Sequence, residues 1–157
     1  MDQFDYRILE YLQKDASISI AELADAVGLS TTPCWRRIQR MKKEGIIKSQ
    51  VVLCDPEKLD LSLTAFVTVK LPRHEESVMR TFLDGVSAVP EIVEVYRMAG
   101  EIDYLLKIVL ADMKDYDRVY RRLIKVSDMR DVSASFVMEI VEHTTALPLP
   151  GGSRGTA

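Results

Sequence analysis

The stretch from Ser19 to Lys48 constrains this chain more than any other, because it reads as two short helices held apart by one tight turn. Ser19-Ile20-Ala21-Glu22 fits a capping box, in which the serine hydroxyl accepts from a backbone N–H three residues on and the glutamate reaches back. Leu23, Ala24 and Val27 then fall on one helical face. Gly28 can adopt the left-handed backbone that ends a helix. Ser30 is placed to cap a second helix, and Pro33 is tolerated there because amides of the first turn have no partner within the helix. Cys34, Ile38 and Met41 repeat at helical spacing and can face inward, which leaves Arg36, Gln39, Arg40 and Lys43 on the other side. Gly45 ends the helix. This layout is a helix-turn-helix, an arrangement whose second helix enters the major groove of DNA.

Charge supports that reading locally. Net charge over the 157 residues is −3, so the chain as a whole is no basic nucleic-acid sponge. Between Ser30 and Lys48, however, six cations (Arg36, Arg37, Arg40, Lys42, Lys43 and Lys48) stand against the single carboxylate Glu44. Phosphate contacts dominate DNA affinity and require clustered Lys and Arg. A solvated helix face explains most charge runs, but these cations sit on the second helix of a correctly spaced motif. Ser30, Thr31, Thr32 and Pro33 open that helix, where hydroxyls and free amides can meet a phosphate. Arg36, Gln39 and Arg40 are the candidates for base edges, since Arg suits guanine and Gln suits adenine. Lys42 and Lys43 suit phosphate. Arg37 either joins them or braces the fold through a carboxylate. Trp35 packs between helices or touches DNA sugar, and packing is the favoured reading.

The rest of the N-terminal domain, residues 1–54, follows. Asp2 caps a first helix bearing Phe4, Ile8, Leu9 and Leu12 on its apolar side, and the β-branched run Ile46–Leu53 reads as short strands, completing a winged helix. Asp55–Asp60 breaks the pattern, giving a linker over 55–61. A second domain over 62–147 reads as strand Leu63–Leu71, helix Glu75–Val86, strand Ile92–Met98, strand Tyr104–Leu110, helix Lys114–Val126 and strand Asp131–Glu142. The order βαββαβ is ferredoxin-like, so the chain is of the α+β class. Helices on one face of a four-stranded sheet leave the other to be covered, and a second copy is the simplest cover. The tail, 148–157, reads as disordered.

Other classes lack residues to support them. Cys34 and Cys54 form neither a CxxC pair nor a disulfide scaffold, and no metal site is expected. No nucleophile stands paired with a base and no glycine-rich loop cradles phosphate, so no catalytic residue and no cofactor is expected. No run spans a bilayer and no signal pattern opens the chain, so no membrane partner and a cytoplasmic location are expected. An enzyme or carrier built on the second domain, and an architectural DNA-binding protein without ligand response, are the alternatives.

The motifs Asp15-Ala16-Ser17-Ile18-Ser19, Glu22-Leu23-Ala24, Gly28-Leu29-Ser30, Thr32-Pro33-Cys34, Gly45-Ile46-Ile47 and Gly100-Glu101-Ile102-Asp103-Tyr104 together resemble the Lrp/AsnC, or feast/famine, family of transcription regulators. The resemblance runs from Asp5 to about Pro148. Thr31–Trp35, Arg97–Gly100 and Ala111–Lys114 further resemble a cysteine-responsive subgroup. The resemblance implies an N-terminal domain that reads double-stranded DNA and a C-terminal RAM domain that forms a homodimer, with assembly onward to octamers. It also implies a small amino-acid effector at the contact between dimers. On that reading Gly100 leaves room for the ligand's main chain and Asp103 suits its ammonium group. Ser133 and Ser135 add hydroxyls, and Met98, Tyr104 and Val137 complete the candidate effector set. From the residues alone, a turn aspartate bonding its own backbone is the favoured reading of Asp103, and the resemblance is what turns it toward the effector.

Overall fold

The computed structural model describes residues 1–150, which divide into two compact units, Met1–Leu53 with the chain from Glu142 onward, and Cys54–Val141. The first unit is built on helices α1 (Gln3–Lys14), α2 (Ile20–Val27) and α3 (Thr31–Lys43). Asp2 and Asp5 cap α1 reciprocally, each carboxylate accepting from the other's backbone N–H at 2.9 and 3.1 Å. Ser19 and Glu22 form the expected capping box on α2. Gly28 ends α2 at φ 75°, and Leu29 N donates back to the Ala24 carbonyl. Ser30 does sit at the N-cap of α3, but its hydroxyl makes no capping bond. Ile8, Leu23, Val27, Cys34, Ile38 and Met41 close the core between the three helices. Burying each such side chain contributes about 1.5–3 kcal/mol.

Two expectations for this unit are corrected. The run Ile46–Leu53 forms no strand. The Ile46 and Ile47 amides donate to the Met41 carbonyl, after which the chain runs on without a ladder. β-propensity is chiefly a fit to a packed, pleated surface, and Val52, 87% exposed, has no such surface within this unit. The boundary expected at Leu147 also moves. Gln13 clamps the Leu147 backbone, its side-chain oxygen accepting from Leu147 N at 2.7 Å and its amide donating to Leu147 O at 3.3 Å. Leu149 packs against the helical core. Glu142–Leu147 therefore belongs with the helices, and the expected disordered tail begins with three placed residues. Residues 151–157 lie outside the described part of the chain.

The second unit opens on a single helical turn, Glu57–Leu59, within the expected linker. Then follow β1 (Leu63–Lys70), α4 (Glu76–Ser87), β2 (Ile92–Arg97), β3 (Tyr104–Leu110), α5 (Met113–Leu123) and β4 (Asp131–Phe136). The sheet order is β2-β3-β1-β4 with every pair antiparallel, as the ferredoxin-like reading requires. Alternation places Ala65, Val67 and Val69 of β1 and Tyr104, Leu106, Ile108 and Leu110 of β3 in the buried face. Phe82 and Val86 of α4 and Val119 and Leu123 of α5 meet them. The last strand stops at Phe136, six residues short of expectation. Val137 N still donates to the Thr64 carbonyl, but β1 begins at Leu63, so its neighbour has no further rung.

One glycine is fixed by packing. A Cβ on Gly85 of α4 would lie 2.0 Å from Val126 Cγ1. Alanine is the better helix former by up to about 1 kcal/mol, yet forcing a methyl into a filled space costs about 1–3 kcal/mol. Gly85→Ala should therefore lower the melting temperature, and adding Val126→Ala should recover part of the loss. A single variant that melts at or above the wild-type temperature would contradict this packing.

Candidate nucleic-acid interface and effector turn

On α3, at about 3.6 residues per turn, Thr32, Arg36, Gln39 and Lys43 form a stripe diametrically opposite the buried Cys34, Ile38 and Met41. All four stripe residues are exposed. Among the described residues no ion pair engages Arg36 or Lys43. Thr31 and Pro33 are likewise exposed in the first turn. Burial pushes the Cys34 thiol above its ordinary value, with Arg37 opposing it, so this cysteine behaves as a small apolar core residue. Trp35 departs from the favoured packing reading, since half of it is exposed.

Arg37 and Arg40 occupy a flank of α3 rather than the stripe. Arg37 Nη1 donates to Asp2 Oδ2 at 2.7 Å and to Asp5 Oδ1 at 2.9 Å, and its guanidinium lies 5.5 Å from the centre of the Phe4 ring. Arg40 Nη2 donates to Asp5 Oδ2 at 2.5 Å, and its Nε lies 3.9 Å from Glu44. Of the two readings of Arg37, the geometry realises the carboxylate brace. Arg40, placed among the base readers by sequence, has part of its guanidinium committed within the protein but remains 45% exposed. Lys42 leans to Gln50 Oε1 at 3.2 Å. The two carboxylates that accept hydrogen bonds from Arg37 and Arg40, Asp2 and Asp5, lie at the start of α1, more than thirty residues away, where local charge counting cannot find them.

At the other candidate site, Gly100 takes φ 131°, a backbone that L side chains rarely adopt, with open space where a Cβ would stand. Met98 N donates to the Asp103 carbonyl across the turn. The Asp103 carboxylate accepts from Leu71 N at 2.7 Å and pairs with His74 Nε2 at 2.8 Å. The Leu71 amide above all holds this carboxyl below the usual aspartate value, against an opposing push from burial. Lys70 Nζ reaches Glu101 Oε1 at 2.8 Å beside it. His74 and Lys70 carried no signal in sequence; only the β1–β3 register brings them to the turn.

The remaining candidates divide. Tyr104 is removed as a side-chain contact, because its ring is buried against Phe82 with centroids 4.7 Å apart. Ser133 and Ser135 are exposed on β4, opposite Thr68 and Phe66. Ser133 is two rungs from the β1 end that holds Asp103, whereas Ser135 and the half-buried Val137 run toward the far end. Met98, Gly100 and Asp103 therefore cluster in one chain, and Ser135 and Val137 do not join them. On the solvated side of α5, Arg118 pairs with Asp115 and Glu91, and Arg121 with Asp117. No described helix is long and apolar enough to cross a membrane.

A helix-turn-helix unit with a cationic second helix, followed by a ferredoxin-like unit, defines a class of two-domain transcription regulators. The comparisons agree. Residues 1–48 match the winged helix-turn-helix DNA-binding model, and residues 64–147 match the Lrp/AsnC ligand-binding domain. The DNA-binding transcriptional activator DecR of Escherichia coli is 45% identical over 150 residues, covering 95% of this chain and 99% of the relative. The crystal structure of an AsnC family transcriptional regulator from Agrobacterium tumefaciens superposes with a TM-score of 0.91 at 47% identity, covering 94% of this chain and 97% of that one. A transcriptional regulator from Neisseria meningitidis in complex with L-Met superposes with a TM-score of 0.90 at 33% identity, covering 94% and 96%. The chain belongs to the Lrp/AsnC family of DNA-binding transcription regulators.

Proposed function

We propose that this protein is a sequence-specific transcription regulator, not an enzyme, that acts in the cytoplasm and whose DNA binding or assembly responds to a small amino acid. The observation that carries the reading is the exposed stripe Thr32, Arg36, Gln39 and Lys43, which alternates donors for base edges and phosphate on one face of α3. Arg37 has its role inside the fold, and Arg40 divides its donors between Asp5 and solvent. The protein acts as a homodimer, with octamers as the larger assembly.

The effector enters at the Gly100 turn, with no other cofactor. The L-Met complex of the Neisseria relative supports an amino acid as the ligand class, and cysteine is the specific effector proposed. Because the Asp103 carboxylate already accepts from Leu71 N, an ammonium group shares it with that amide and displaces His74. A ligand shifts assembly only through unequal affinity for two states, and the contact between dimers is where such states differ.

A thermal-shift screen against the amino acids tests the ligand reading, since a ligand bound only by the folded state raises its melting point. A shift for cysteine supports the specific effector. A shift for a different amino acid replaces cysteine, and none at all removes the sensor function and leaves DNA binding and assembly.

A further inference from the structure

Asp5 is the only charged residue among the described ones that the fold fully buries, at 1% exposure. It serves no catalytic purpose in a DNA-binding unit, and burying a carboxylate is costly unless it is paired. Here it is paired twice, and both partners sit on the recognition helix. Its Oδ1 accepts from Arg37 and its Oδ2 from Arg40, while Asp2 N also donates to Oδ2. Burial pushes its carboxyl up, but the Asp2 amide, the Arg37 hydrogen bond and the Arg40 charge together hold it below the ordinary aspartate value. The carboxylate is therefore ionised at neutral pH and remains a fixed acceptor.

We infer that Asp5 is a positioning residue for DNA reading: it fixes the guanidinium of Arg40 at the edge of the reading stripe and withholds that cation from indiscriminate phosphate contact. The inference rests on the regulator reading above. Its physical basis is the asymmetry between the two arginines. Arg37 is three-quarters covered and shared between Asp2 and Asp5, so it serves the fold. Arg40 is 45% exposed, and its hydrogen bond to Asp5, with Glu44 only within ion-pair range at 3.9 Å, uses a small part of a five-donor fork. An arginine held at one end and open at the other presents its remaining donors with little rotamer entropy left to lose. A free arginine at the same position would seek any phosphate. The carboxylate thus exchanges general affinity for discrimination.

The test compares two duplexes by fluorescence anisotropy across a salt series: one selected from a randomised library by the wild-type protein, and a scrambled duplex of equal composition. In Asp5→Asn, affinity for the scrambled duplex should rise about threefold or more. Its log–log salt slope should steepen by about 0.9, the value of one added phosphate contact. The selected-to-scrambled ratio should fall about tenfold, as for one lost bidentate base contact. Asp5→Glu keeps the charge but moves the carboxylate by one methylene. It should lower the ratio without changing the scrambled-duplex slope, which keeps the test decisive if Asp5→Asn does not fold. Parallel loss on both duplexes in the variant that folds, or an unchanged ratio at wild-type melting temperature, overturns the role of Asp5. A wild-type protein that enriches no sequence from the library overturns the regulator reading itself, a separate result.

Discussion

Replacing Arg36 with alanine should cut affinity for a selected duplex by about five- to a hundred-and-fiftyfold, the ~1–3 kcal/mol of one good base contact, and leave the melting temperature where it was. Arg36 sits in the middle of the reading stripe, is exposed, and holds no ion pair among the described residues. Nothing in the fold depends on it, so an effect on binding reports DNA contact alone. Arg40→Ala provides the contrast. It removes a hydrogen-bonded cation from the buried Asp5 carboxylate, so it should weaken binding and lower stability together. An Arg36→Ala protein that binds with wild-type affinity would remove this residue from the interface and leave Gln39 and Lys43 to carry it.

Asp103→Ala should abolish the amino-acid response, leave affinity for DNA near the wild-type value, and cost stability as well. The loss of stability follows from the Leu71 amide, which gives its hydrogen to this carboxylate at 2.7 Å and would be left without an acceptor. An unsatisfied, partly buried N–H costs about 1–3 kcal/mol. Because the folded-state pKa of Asp103 is depressed, its contribution is fully present above the ordinary aspartate range and is lost as pH falls through the lower folded value. The acid limb of a stability curve should accordingly flatten in the variant. Asp103→Asn separates the two roles, since its amide oxygen still accepts from Leu71 but carries no charge for an ammonium group. A stable Asp103→Asn protein with a full ligand response would make this residue purely structural.

Much of this architecture was legible because it is written in local chemistry. The capping box at Ser19 and Glu22, the left-handed Gly28 and the inward set Cys34, Ile38 and Met41 each follow from residues within a turn or two of one another. The order of strands and helices was equally plain from periodicity. The failures share one cause, dependence on a distant partner. Ile46–Leu53 has the composition of a strand but no neighbour in its unit to pair with. The last strand ends where β1 has no more rungs. Gln13 captures Leu147 from 134 positions away. Along α3, local charge gives Arg36 and Arg40 alike to base edges and leaves Arg37 open between DNA and the fold. Asp2 and Asp5 on α1 divide them, drawing Arg37 into the fold and tethering Arg40. At the Gly100 turn, His74 lies 29 positions from Asp103 in sequence, and the fold alone sets the two side by side.

The most direct test of the account is a titration of the selected duplex with the wild-type protein, with and without saturating amino acid, at two salt concentrations. The account predicts tight binding to the selected duplex, weaker binding to its scrambled counterpart, weakening of both with salt, and a change in affinity or assembly size with at least one amino acid. Equal affinity for both duplexes, unmoved by every amino acid, would contradict it.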